Sequence, residues 1–318
     1  MTQQPIAILY EHPEWFKPLF AELDRLGAPY VELHAAEHVY DPDEREVPYS
    51  LVVNRMSPSA WMRGQRAAIF HTLRYLEHLD EIGAPVMNGA TAFGYELSKA
   101  AQYSLMARLG IRHPTTRVLS GSGQALSAAA TLRFPVLVKP NIGGSGAGIQ
   151  SFETPDELTE AIRKGDLEFG IDHVGLLQEH LPARGDAIVR IEVVDGRFLY
   201  AIRLLLTPGT FNLCPADYCE LPGMADGVSG RGLPIEGYDP PAELIEQAQR
   251  LVAAAGMDVG GVEYLVNARD GEAYFYDLNA LSNFVADAPN VVGFNPYVDL
   301  AELIVERAEL VPAEVSAA

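Results

Sequence analysis

The chain has 318 residues, 48% hydrophobic and 21% charged, which is the composition of a globular protein with a sizeable core rather than of a disordered or fibrous one. Its formal net charge of -20 argues against nucleic acid and anionic membrane surfaces as partners. Apolar runs such as "FLYAIRLLL" are too short to span a bilayer, and "MTQQPIAILY" lacks a basic stretch followed by a long apolar core, so a cytoplasmic protein is expected.

In chain order, "IAILY" (6–10) reads as a strand, followed by a helix with Phe16, Leu19, Phe20, Leu23 and Leu26 at helical spacing and Gly27 as its stop. Strands are expected at 29–34, 50–55 and 84–89, with a long helix over 60–82 between the last two. This alternation predicts an α/β fold that opens on a small parallel sheet over residues 1–90. Residues 91–110 read as one helix, and "HPTTRVLS" (113–120) as a strand or extended segment. From 186 to 206 two strands meet at Asp195-Gly196, a hairpin signal. Residues 207–238, rich in Pro and Gly, read as a long loop that contains Cys214 and Cys219, expected as reduced thiols. A helix over 241–256, a second hairpin over 260–280 and a final helix over 295–308 precede a frayed tail from Pro312.

Only four lysines occur, Lys17, Lys99, Lys139 and Lys164, and Lys139 stands in front of the glycine-rich stretch "NIGGSGAGIQ". Two familiar phosphate loops are excluded by order. The Walker loop places its lysine after the glycines, and the dinucleotide fingerprint opens a helix. Here the lysine comes first and the glycines lead into a strand; the helix begins later, with Thr154 as N-cap, Pro155 in its first turn and Glu157 closing a capping box. The stretch therefore reads as a glycine hairpin between strands, able to offer backbone N–H groups to phosphate and to close as a lid over 143–148.

A second group of residues stands in "VEYLVNARDGEAYFYDLN". A hairpin centred on Asp270 puts Glu263 opposite Asp277, each seven residues from the turn, with Asn279 on the same face. Two like charges facing each other are unfavourable unless a cation neutralises them, and oxygen-only ligands suit Mg²⁺ bridging to phosphates. At the end of the third strand, Asn54 and Arg55 are placed where open α/β sheets line ligand crevices, as a candidate carboxylate site.

Together, the glycine lid, its preceding lysine and the acid–acid–Asn hairpin resemble the ATP-grasp superfamily, in particular the branch of RimK-type glutamate ligases and bacterial glutathione synthetase. The resemblance implies a pre-ATP-grasp domain at 1–90, a first ATP-grasp lobe at 91–180, a second at 181–311 and a flexible tail at 312–318. It implies ATP bound by Lys99, Lys139 and lid residues Gly143, Gly144, Ser145 and Gly146, with adenine held near Gln178, Glu179 and Leu181. By the same resemblance Asp186 touches ribose, Arg203 and Asn212 lie near the γ-phosphate, Arg190 faces an acyl phosphate, and Glu263, Asp277 and Asn279 hold Mg²⁺ or Mn²⁺.

The implied activity is ADP-forming ligation of a small carboxylate, or a peptide, to an amine, in a homodimer or homotetramer assembled through the first lobes. A scaffold that binds nucleotide without turnover, and an enzyme with a non-amine acceptor, are the alternatives. The chain departs from the family where the acceptor belongs: "CPADYC" follows Asn212 and "ALSNFVADAPN" follows Asn279, and the order of the two acids in the metal hairpin is reversed.

Overall fold

The computed structural model describes residues 4–144, 146–206 and 235–309. Ser145, Asn212, both cysteines and the tail from Pro312 lie outside them.

The first sheet is parallel, in the order β2-β1-β3-β4, from β1 (Ile6–Tyr10), β2 (Tyr30–His34), β3 (Leu51–Arg55) and β4 (Val86–Met87). Both β1 and β3 are buried along their whole length, which is why they read as unbroken apolar runs. Helix α1 (Lys17–Leu26) ends at Gly27 in the left-handed conformation (φ 67°). The stretch expected as one helix over 60–82 is a 3-10 helix at Pro58–Arg63 and then α2 (Arg66–Glu81). They are parted at Gly64, whose φ of 81° ends the first turn.

The single helix expected over 91–110 is likewise two, α3 (Ala90–Glu96) and α4 (Lys99–Arg108). Ser98 takes an extended conformation and its hydroxyl accepts from Ala101 N at 3.2 Å, an N-cap that outweighs helical continuity. The break starts α4 at Lys99.

A second, antiparallel sheet runs β5-β8-β6-β7, from β5 (Thr116–Leu119), β6 (Val136–Pro140), β7 (Gln150–Phe152) and β8 (Gly175–Glu179). Helix α5 (Ala125–Ala129) and α6 (Pro155–Lys164) cover it. Thr154 caps α6, accepting from Glu157 N at 3.3 Å, and Glu157 reaches back to Glu153 N at 2.8 Å.

The third sheet, β11-β10-β9-β12-β13, is antiparallel throughout. It contains β9 (Ala183–Val194), β10 (Arg197–Leu205), β11 (Ile235–Gly237), β12 (Val259–Asn267) and β13 (Ala273–Asn279), with α7 (Ala242–Ala254) on one face. Asp195 and Gly196 both have positive φ (51° and 69°), the two-residue turn their sequence signals. Short α8 (Ala288–Val291) and long α9 (Pro296–Glu309) follow, and α9 returns to pack on α1 of the first sheet's layer.

Glu263 pairs with Asp277 in the β12–β13 register, by a route the sequence conceals. The loop closes from Asn267 N to Glu272 O at 2.8 Å, so the inner pairs are Leu265↔Tyr274 and Tyr264↔Phe275. A bulge adds Tyr276 and shifts the next pair to Glu263↔Asp277.

Candidate functional site

A cavity of about 470 Å³ lies where the three sheets meet. Its apolar lining includes Leu137, Ile149, Leu181, Ile188, Leu206 and Leu265, and its polar lining Lys99, Lys139, Arg190, Glu263, Asp277 and Asn279.

Lys99 arrives from the start of α4 and its ammonium is ion-paired to Asp277 Oδ1. Burial works against both charges, but each partner outweighs it, holding the ammonium above its usual pKa and the carboxyl below its own. Lys139 comes from β6, and its Nζ lies 5.8 Å from the centre of the Tyr276 ring. It is 7% exposed, and burial, with the charge of Lys99 nearby, lowers its pKa to about 7.

Asn141 ties the two lysine-bearing segments together. Its Oδ1 accepts from Ala100 N at 2.9 Å, its backbone oxygen accepts from Lys99 N at 3.3 Å, and its Nδ2 donates to Asp172 at 2.7 Å. Gly143, Gly144 and Gly146 line the cavity beyond it. A Cβ on Gly144 would stand 2.7 Å from Ser59 Cβ, so the loop lies directly on the 3-10 helix of the first layer.

On the hairpin, Glu263 is buried opposite Asp277, and burial raises its pKa against the pull of Arg190. Among the described residues no three His, Cys, Asp or Glu side chains cluster as a metal site. Two carboxylates and the amide of Asn279 are a hard-oxygen set, and Mg²⁺ is commonly held by one or two carboxylates with substrate phosphates completing its shell, so these residues fit such an ion.

Glu179, Leu181 and Asp186 also line the cavity, Asp186 with a φ of 48°. Gln178 also lines it, but its Nε2 is spent on Tyr103 Oη at 2.6 Å and Thr116 Oγ1 at 2.9 Å.

Three sequence expectations are corrected by position. Arg203 stands outside the cavity: it pairs with Val189 in register and so shares the face covered by α7, whereas Arg190, one residue along β9, faces inward. Its guanidinium is exposed, ion-paired to Glu236 and 5.2 Å from the Tyr238 ring. Arg55 is not at a crevice: it is 1% exposed, donates to Ser282 O at 2.6 Å and stacks over Phe16. Asn54 is equally buried, donating to Asn88 O at 3.1 Å and accepting from Met56 N at 3.0 Å. Every residue of β3 is enclosed, leaving the strand end no open crevice.

Other residues at the site carried no sequence signal. Glu96 ends α3 and accepts from the backbone N–H groups of Ala280 and Leu281, fixing the loop that follows the hairpin. Burial pushes its pKa up to about 7. Glu192, Gly261 and Ser282 surround Arg190. A charged residue in a central strand, "RIEVV", was the one available hint of Glu192.

A RimK-like ATP-grasp domain model matches residues 97–213. D-alanine–D-alanine ligase of Geobacter sulfurreducens is 26% identical over 241 residues, 73% of this chain and 72% of that protein. The arginine-specific carbamoyl phosphate synthase large chain of Geobacillus stearothermophilus is 24% identical over 278 residues, covering 86% of this chain but only 23% of that protein. Among solved structures, the ATP-grasp ligase PsnB complexed with a phosphomimetic variant of its minimal precursor, Mg and ADP superposes with a TM-score of 0.68 at 17% identity, over 96% of this chain and 100% of that one. The three-sheet architecture is thus the ATP-grasp fold of those solved structures, and residues 97–213 resemble a RimK-like ATP-grasp domain.

Proposed function

We propose that this chain is an ATP-dependent carboxylate–amine ligase that forms an amide through an acyl phosphate and releases ADP and phosphate. The observation that carries the reading is one cavity holding Lys99, Lys139 and the facing Glu263–Asp277 pair beneath a glycine loop. ATP-grasp relatives that ligate carboxylates to amines support it.

In this reading the apolar lining beside the Glu179–Leu181 segment takes the adenine, and Asp186 takes the ribose. Lys99, Lys139 and the amides of Gly143, Gly144 and Gly146 neutralise and cradle the phosphates. Glu263, Asp277 and Asn279 would hold Mg²⁺ or Mn²⁺, which would supply neutralisation of the phosphate charge. The substrate carboxylate would attack the γ-phosphorus, breaking its bond to the bridging oxygen so that ADP leaves; the amine would then attack the acyl carbon, expelling phosphate, which takes up the proton the amine gives up. Arg190 lines the cavity, and although its guanidinium is hydrogen-bonded to Glu192, Glu263 and Ser282, its remaining terminal N–H groups would serve the acyl phosphate. Positioning and preorganised charge supply the catalysis, and the lid excludes water that would hydrolyse the intermediate.

Trp15, Ser57, Ser59, Leu281 and Asn283, which also line the cavity, would take the two substrates. An amino acid or a peptide is the proposed class for each, in line with the D-alanine–D-alanine ligase relative and with the ATP-grasp ligase PsnB solved with its precursor peptide. No helix among the described residues is long and apolar enough to cross a membrane, and a cytoplasmic enzyme using the cell's ATP is proposed.

The test is ADP release with Mg²⁺ and ATP, with and without pooled amino acids and short peptides, with Lys139→Ala as the blank. Release that depends on the pool supports ligation. Nucleotide binding without release under every pool would overturn it in favour of a scaffold.

A further inference from the structure

Gly261 sits between Glu192 and Asn279 in the registers that join β9, β12 and β13. A Cβ there would lie 2.3 Å from one terminal nitrogen of Arg190 and 2.7 Å from its Cζ. The guanidinium thus lies in the space that any side chain at 261 would fill. In that slot its Nε donates to Glu192 Oε1 at 2.6 Å, one terminal nitrogen to Glu263 Oε1 at 2.9 Å and the other to Ser282 Oγ at 3.0 Å. The Ser282 hydroxyl donates in turn to the second oxygen of Glu192. Glu192 and Ser282 are wholly buried, and Arg190 is nearly so.

One guanidinium therefore faces two buried carboxylates. Paired with Glu263 alone, Arg190 would cancel the charge that stands opposite Asp277. A buried cation without a second acid would also be drawn fully onto Glu263, because attraction at this range in a poorly hydrated interior far exceeds its value in water. Glu192 supplies the balancing charge on the side away from the hairpin pair, and the triad keeps a net negative charge.

We propose that Glu192 is a positioning residue for the cation site: with Ser282 and the slot at Gly261 it holds Arg190 so that Glu263 keeps its charge for a divalent cation. The inference rests on the reading of Glu263 as a cation ligand. Outer partners of this kind set ligand geometry and charge without touching the ion.

The experiment is a Mn²⁺ titration followed by electron paramagnetic resonance, on the full chain with a non-hydrolysable ATP analogue. The parent is compared with Glu192→Gln, Gly261→Ala and the milder Ser282→Ala, and nucleotide binding without metal is measured alongside. Mn²⁺ affinity is expected to fall about 10- to 100-fold in Glu192→Gln and Gly261→Ala, and less in Ser282→Ala, with metal-free nucleotide binding retained. In the activity assay the KM for Mg²⁺ rises in parallel. Mn²⁺ affinity within twofold of the parent in the folded variants would overturn the inference, whatever their melting temperatures. Should Glu192→Gln not fold, Gly261→Ala and Ser282→Ala decide by the same criterion. A parent that binds the nucleotide but no Mn²⁺ would overturn the cation reading itself, and this inference with it.

Discussion

Lys99 and Asp277 are ion-paired across 178 residues of chain, one at the first position of α4 and the other near the end of β13. The pair joins the helix that leads into the second sheet to the hairpin of the third. Each side chain is only about one-fifth exposed and each charge depends on the other, so neither can be removed without stranding its partner.

Asp277→Asn removes a proposed cation ligand and the counter-charge of Lys99 while preserving shape. Turnover is expected to fall by about 100-fold or more, the scale on which one preorganised electrostatic contact acts. Steady-state ADP release, with circular dichroism to verify folding, checks it.

Lys139 yields a pH dependence. Its pKa in the empty site is lowered to about 7 by burial and by Lys99. A bound phosphate favours the charged form and raises that pKa, so binding takes up a proton above pH 7. Nucleotide affinity is expected to be highest below pH 7 and to fall as pH rises above it, approaching about tenfold per unit. Calorimetry between pH 7.5 and 9, where the phosphates are ionised, reads the slope. Lys139→Arg, charged throughout, is expected to flatten it; an equal slope in both proteins would count against the assignment.

Gly144→Ala places a methyl group 2.7 Å from Ser59 Cβ. The lid is expected to seat poorly, weakening ATP binding and raising the share of ATP hydrolysed without product. The double variant Gly144→Ala/Ser59→Gly removes the opposing atom and is expected to recover much of the loss. A double variant no better than the single would place the defect elsewhere.

Asn88 is a brace between layers. Its Nδ2 donates to Val259 O at 2.8 Å and Ala280 O at 2.7 Å, and its Oδ1 accepts from Asp258 N at 2.8 Å. It also holds φ at 51°, a conformation asparagine tolerates better than most residues. Asn88→Ala leaves those buried groups unpaired, and a loss of about 3 kcal/mol is expected in urea unfolding.

Arg203→Ala is the contrasting case. Its ion pair with Glu236 is solvent-exposed and outside the cavity. Stability is expected to change by less than about 1 kcal/mol and turnover to stay within about twofold of the parent.

Much of this was legible locally, because local interactions make it. Asp195-Gly196 dictates a hairpin through two positive φ values, and Thr154 caps its helix with its own hydroxyl. The glycine stretch after Lys139 has the wrong order for either familiar phosphate loop and does join β6 to β7. The Glu263↔Asp277 pairing followed from counting along the hairpin, although the turn is centred differently and the bulge at Tyr276 restores the count.

What the sequence could not decide was facing and enclosure. Arg190 and Arg203 both stand in long apolar strands, and only the register of β9 with β10 puts one in the cavity and the other under solvent beside α7. Arg55 ends a strand as a ligand-binding residue would, yet the loop after β13 covers it and offers Ser282 O to its guanidinium. Glu96 and Gly261 act through residues tens to hundreds of positions away, and Glu192, a strand neighbour of Arg190, is held by the distant Ser282. Short-range hydrogen bonds set turns, caps and registers from a few neighbouring residues. Which face of a strand is dry, and which carboxylate meets which cation, depends on layers that meet only when the whole chain has folded.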